Sequence, residues 1–185
     1  MKATDEAQSA AVFGVRRIVL TGFMGSGKST AGPLLALRLG WRFVDADEVI
    51  EAEAGARITD LFVHEGEEAF RERERAVIEG LIEGKELVLA LGGGAIEHEA
   101  TRKLLTGPES AAEGTLLVHL EVTLETTLER CRGTENMRPI LADRANLAGR
   151  YERRLPLYRK AHVSIRTDAL TPEETVEAVL RAAGW

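Results

Sequence analysis

The chain has 185 residues, 44% of them hydrophobic, enough for one domain with an ordinary core and too many for intrinsic disorder. With 24 basic against 30 acidic residues the net charge is −6, which argues against general electrostatic binding to nucleic acid or to an anionic membrane surface. No apolar run approaches the ~20 residues that span a bilayer, and the single cysteine, Cys131, can form neither an internal disulfide nor a structural zinc site, so a cytoplasmic location is expected.

Residues 1–14 carry no period and read as a loose tail, leaving 15–185 as a single domain. Arg17 to Thr21 is a short apolar run ending at a glycine and predicts a buried strand. Ser29 to Leu39 has leucines at helical spacing and stops at Gly40. Trp41 to Asp45 predicts a second strand and Asp47 to Ala54 a helix ended by Gly55. Ile58 to His64 predicts a short helix, and Glu67 to Glu83 a longer amphipathic one. Glu86 to Leu91 predicts a third strand running into Gly92, Gly93 and Gly94. Glu97 to Leu105 reads as a helix, Thr106 to Gly114 as a surface loop by composition. Leu116 to Leu120 predicts a strand and Leu124 to Arg132 a helix. Residues 133–142 lack a period and contain Pro139, the pattern of a mobile loop. A long basic helix over Arg144 to Lys160 and a strand over His162 to Arg166 follow. Thr171, Pro172 and Glu174 predict the N-terminus of a final helix, with cap, first-turn proline and capping-box glutamate. Strand and helix alternate five times, the pattern of a parallel sheet covered on both faces.

The first glycine-rich turn carries the most specific signal. Gly22-Phe23-Met24-Gly25-Ser26-Gly27-Lys28-Ser29 fits G-x-x-x-x-G-K-[ST], with a strand before it and a helix after it. Such a turn wraps backbone N–H groups around phosphate oxygens and presents them to a helix N-terminus. Lys28 is one of only 5 lysines beside 19 arginines; it can reach the β and γ phosphates, and the Ser29 hydroxyl can ligate Mg²⁺. A nucleoside triphosphate is the expected ligand, but a P-loop by itself does not say what is done with it.

Four further patterns bear on that question. Asp45 and Asp47 follow the second strand, where a carboxylate faces the ligand crevice of a parallel sheet; they suit a metal ion and a substrate hydroxyl, and equally suit capping the next helix. Arg71 follows Phe70 and has Glu74 three residues on, within a run R-E-R-E-R that otherwise reads as a solvated face. The run Gly92 to Gly94 admits a close backbone approach by a ligand, or is a flexible loop. Arg138 in the unpatterned stretch can close over phosphates or stand in solvent. Of Arg153 and Arg154, adjacent on a helix, one can face inward. The strand ending at Leu91 has no terminal acid, so Asp45 is the available carboxylate for a metal. The four histidines show no metal spacing.

Together these residues resemble the shikimate kinases over about residues 16–182. The resemblance is carried by the P-loop, Phe43-x-Asp45-x-Asp47, Gly66-Glu67-x-x-Phe70-Arg71-x-x-Glu74, Gly92 to Gly94, Arg138-Pro139-Ile140-Leu141, Arg154-x-Pro156-Leu157-Tyr158 and Thr167-Asp168-x-x-x-Pro172. It implies a three-layer α/β/α P-loop NTPase fold with a five-stranded parallel sheet in order 2-3-1-4-5, a substrate-binding region at about 46–80 and a mobile lid at about 133–142. It implies transfer of the γ-phosphoryl group of ATP to the 3-hydroxyl of shikimate with Mg²⁺, giving shikimate 3-phosphate and ADP in aromatic amino acid biosynthesis.

The same resemblance assigns the site. Lys28, Asp47 and Arg138 are the expected catalytic residues, with Asp47 as proton acceptor. ATP falls to Gly25, Ser26, Gly27, Lys28, Ser29, Thr30, Arg138 and Pro172, with Arg132 favoured over Arg130 on the adenine side because the lid is about one residue short. Shikimate falls to Asp47, Arg71, Gly92, Gly93, Gly94 and Arg154, and Mg²⁺ to Ser29 and Asp45. ATP, ADP and shikimate are the expected partners of a monomer. The alternatives are a gluconate kinase-like enzyme and a nucleotide-binding module without catalysis.

Overall fold

The computed structural model describes residues 14–132 and 144–185, with the backbone alone at 144 and 145. The tail expected at 1–14, save its last residue, and the lid expected at 133–142 with Arg138 lie outside the described residues. In chain order the elements are β1 (Arg17–Thr21), α1 (Lys28–Leu39), β2 (Arg42–Asp45), α2 (Ala46–Ala54), α3 (Ile58–Ile82), β3 (Leu87–Ala90), a 3-10 turn at Ala95–Glu97, α4 (Glu99–Thr106), α5 (Pro108–Ala112), β4 (Thr115–Glu121), α6 (Leu124–Arg130), α7 (Arg144–Tyr158), β5 (Val163–Arg166) and α8 (Pro172–Ala183). The strands pair in parallel in the order β2-β3-β1-β4-β5, as expected.

Burial explains why the central strands read as unbroken apolar runs. Every residue of β1 and β3 is buried, whereas β2 and β5 at the edges are only partly so. Successive residues alternate between faces. Ile18, Leu20, Val88, Leu116 and Val118 pack with Leu35 of α1 and Val176 and Val179 of α8. Val19, Leu87, Leu89 and Leu117 pack on the other face with Ile78 of α3, Leu147 and Tyr158 of α7. Each such aliphatic side chain contributes about 1.5–3 kcal/mol on full burial. A separate cluster, Ile50, Leu61 and Phe70, joins α2 to α3 beside the sheet.

Three local features matter. Helix α3 is interrupted at Gly66, whose φ of 82° and ψ of 168° break it into the two segments that the sequence predicts. The stretch from Thr106 to Gly114 is not a plain loop: after α4 it forms the short helix α5, with Pro108 in the first turn and Ser110 buried. Pro108 pre-sets the helical φ and the two alanines favour helix, which outweighs the turn-like composition. The predicted helix over Glu97 to Leu105 likewise splits, with Glu97 in the 3-10 turn and His98 extended before α4.

The last helix begins as predicted. Thr171 Oγ1 accepts from Glu174 N at 3.1 Å and Glu174 Oε2 accepts from Thr171 N at 2.8 Å. Thr171→Ala is expected to lower stability by about 1 kcal/mol, the usual cost of a lost N-cap. A urea melt with an unchanged midpoint would remove the cap from the account.

Candidate active site

The C-terminal ends of β1, β2 and β3 open on one side of the sheet, where ligands of such folds bind. From β1 the chain turns through the P-loop into α1. Gly27 precedes α1 at φ 101° with no side-chain cap, so the first N–H groups of the helix are left facing the turn. Lys28 Nζ folds back on this turn, donating to Gly22 O at 2.7 Å and lying near Phe23 O and Ser26 Oγ. The P-loop is tied to its surroundings by Thr127 Oγ1, which donates to Met24 O, and by Thr167 Oγ1, 3.2 Å from Ser26 O.

A cleft of about 460 Å³ runs along this turn. Residues 24–31 of the P-loop and α1 line it, with Arg130, Leu170 and Pro172 on the far wall. Arg130 is fixed there: it donates to Gly25 O at 3.1 Å, to Thr167 O at 2.5 Å and to Asp168 O at 3.1 Å. Arg132, favoured from the sequence, is exposed and lines no part of the cleft. Arg130 sits in the last turn of α6 and bonds Gly25 O of the P-loop, whereas Arg132 lies past the helix end.

At the end of β2, Asp45 caps the next helix and stands beside Ser29. Its Oδ1 accepts from Asp47 N at 3.0 Å and caps α2, and its Oδ2 stands 3.5 Å from Ser29 Oγ. These two oxygens are hard donors of the kind that Mg²⁺ takes. Among the described residues no group of three or more His, Cys, Asp or Glu side chains is placed to hold a metal. Asp47 turns inward. Burial, with the Asp45 carboxylate adding to it, pushes its pKa up to about 6, while Lys28 and Arg71 pull the other way.

The glycine run after β3 forms the wall against which these groups lie. A methyl on Gly92 would collide with Asp47 Oδ1 and reach Glu74 Oε1 at 3.0 Å. One on Gly94 would collide with the Arg71 guanidinium, and one on Gly93 would lie 3.6 Å from Arg154 Nη1. Side chains packed against bare backbone thus account for Gly92 and Gly94, whereas a methyl on Gly93 would make only ordinary contacts. Gly93 O also accepts from Tyr158 Oη at 2.5 Å.

Arg71 and Arg154 are both buried, in contrast to Arg73 and Arg153 beside them. Arg71 Nη1 donates to the buried Glu74 at 2.6 Å, and its guanidinium lies over the rings of Phe62 and Phe70 at 5.5 and 5.4 Å. Arg154 Nη2 donates to Glu97 Oε2 at 2.7 Å. The sequence reading missed Glu97, which lies outside every motif quoted above, and the tethering role of Thr167. Of the histidines, His119 is buried and stacked on Tyr158, burial lowering its pKa to about 4, and His162 Nδ1 accepts from Leu117 N.

Comparison with known proteins agrees with this geometry. The family model "Shikimate kinase" matches residues 24–183. A shikimate kinase of Persephonella marina is 40% identical over 168 residues, covering 90% of this chain and 98% of that protein. The solved structure of a shikimate kinase from Acinetobacter baumannii in complex with shikimate is 37% identical, covers 94% of this chain and 95% of that one, and superposes with a TM-score of 0.81. A gluconokinase from Sinorhizobium meliloti, 22% identical and covering 91% of each chain, superposes with a TM-score of 0.60 and shares the fold alone.

Proposed function

The chain belongs to the shikimate kinase family, and from that premise we propose how its residues divide the transfer of a phosphoryl group from ATP to shikimate between them. The enzyme is an ATP-dependent kinase, and the gluconate kinase-like and non-catalytic alternatives give way to it. The observation that carries the residue assignment is the meeting of Asp47, Arg71 and Arg154 on the Gly92–Gly94 wall, next to the P-loop lysine.

Shikimate is a carboxylate bearing three hydroxyls. Two buried guanidinium forks suit the carboxylate, and an inward carboxylate suits a hydroxyl. Asp47 orients the 3-hydroxyl and accepts its proton. The ATP phosphates lie in the P-loop turn, on the N–H groups of residues 25–30, and draw Lys28 from its carbonyl partners. Arg130 and Pro172 border the adenine. Arg138, outside the described residues, is assigned to the transferring phosphoryl group. Ser29, with Asp45 acting through water, would hold Mg²⁺, the phosphates completing its shell. When bound, Mg²⁺ neutralises charge on the β and γ phosphates. Transfer between oxygens needs little covalent help, so positioning and charge supply most of the acceleration.

The test is ADP release with MgATP, comparing shikimate, quinate and gluconate against a blank without acceptor. Turnover with shikimate well above the others is expected. Turnover with gluconate instead would mean that the clamp is misread. We further propose a cytoplasmic monomer, in line with a single buried cysteine and a site built from one chain; sedimentation at assay concentration checks the monomer.

A further inference from the structure

Glu97 occupies the clamp. Its Oε2 lies 2.7 Å from Arg154 Nη2 and 3.7 Å from Arg71 Nη2, so one carboxylate oxygen bridges the two guanidiniums assigned to the acceptor. The other terminal nitrogen of Arg71 is committed to Glu74. The two Nη2 groups are donors open to an incoming carboxylate, and both already face Glu97, although Arg71 Nη2 also lies 3.7 Å from Glu67 Oε1. We propose that Glu97 is an internal placeholder for the acceptor carboxylate: it pairs with Arg71 and Arg154 in the empty site and must swing out before the acceptor binds. This inference rests on the proposed carboxylate clamp and adds a competitor to it.

Three further observations fit a side chain that swings on a fixed base. The backbone of the 3-10 turn is pinned, because Arg102 Nη1 donates to both Ile96 O and Glu97 O, at 2.7 and 2.6 Å. The Glu97 side chain is 27% exposed, whereas those of Arg154 and Arg71 are 7% and 11% exposed, so the glutamate has a path to water that the arginines lack. Arg71 does not depend on it for its place, since it keeps Glu74 as a buried partner. A binding-competent state that is only partly populated weakens the apparent affinity by that fraction. A charge-assisted bond at a partly exposed site sets that fraction at roughly one in five. With Glu97 swung out, the Nη2 groups of Arg71 and Arg154 are left to draw the acceptor carboxylate.

The placeholder is a positioning residue, so its signature is a split between KM and kcat. Glu97→Gln is expected to lower KM for shikimate about fivefold, with the change in KM rather than kcat, and to give no such gain for the uncharged shikimate amide. Glu97→Asp, one methylene too short to bridge both arginines, is expected to lower KM as well, and serves if the glutamine variant does not fold. A KM that is unchanged or raised in these variants overturns the placeholder, and so does an equal gain for the amide. Wild-type failure to phosphorylate shikimate defeats the clamp itself, whereas wild-type turnover with no KM gain in the variants defeats only the placeholder.

Discussion

Asp47→Asn is expected to cut turnover roughly 10²-fold or more, the range for a lost acid–base group, while nucleotide affinity stays close to wild type. The amide keeps the size and the hydrogen-bonding reach of the side chain but cannot take a proton. Asp47 lines no part of the cleft along the P-loop and lies against Gly92, though it feels the charges of Arg71 and Lys28. The same group sets a pH dependence. Its pKa is raised to about 6, so it is neutral below that value and ionised above it. A base must be ionised to act, so kcat/KM for the acceptor falls as pH is lowered through about 6, and Asp47→Asn lacks that limb. Turnover within tenfold of wild type, or a variant that keeps the limb, would take Asp47 out of the mechanism.

Arg154→Ala is expected to weaken shikimate by about 2–4 kcal/mol, roughly 30-fold or more in KM. The loss is large because Arg154 is buried, so the carboxylate facing it has no water to turn to. Glu97 loses its 2.7 Å partner in the same variant, which removes the competitor together with the clamp and holds the effect to the lower part of that range. Arg153→Ala, at a neighbouring exposed position, is expected to leave KM unchanged. Equal effects at the two arginines would show that net charge, and not the inward guanidinium, carries acceptor binding.

Much of this site was legible in the sequence because its parts are contiguous. The P-loop is eight residues whose conformation and chemistry are both local, and a strand before with a helix after completes its context. Asp45 and Asp47 are placed by the end of one strand. The capping box of α8 is a reciprocal pair three residues apart, Thr171 and Glu174. The sheet order followed from the family resemblance rather than from any residue pattern. By contrast, Arg71 and Arg73 look alike in a run of alternating charges, and only the tertiary packing of α3 buries Arg71, beside Phe62, Phe70 and Glu74, and leaves Arg73 partly exposed.

The sequence by itself determined the nucleotide site, the alternation that makes a parallel sheet, and the residue types available for a carboxylate with hydroxyls. Only the tertiary structure decided which of two arginines enters the nucleotide cleft, that Thr106 to Gly114 holds a helical turn, and that Glu97 sits between Arg71 and Arg154. The physical reason is the same in each case. Periodicity and motif spacing report on neighbours along the chain, within about one helical turn or one tight loop. Arg130 reaches carbonyls 37 residues away, and Glu97 reaches an arginine 57 residues away. Those contacts are set by how α6 and α7 pack on the sheet, and no local pattern records them.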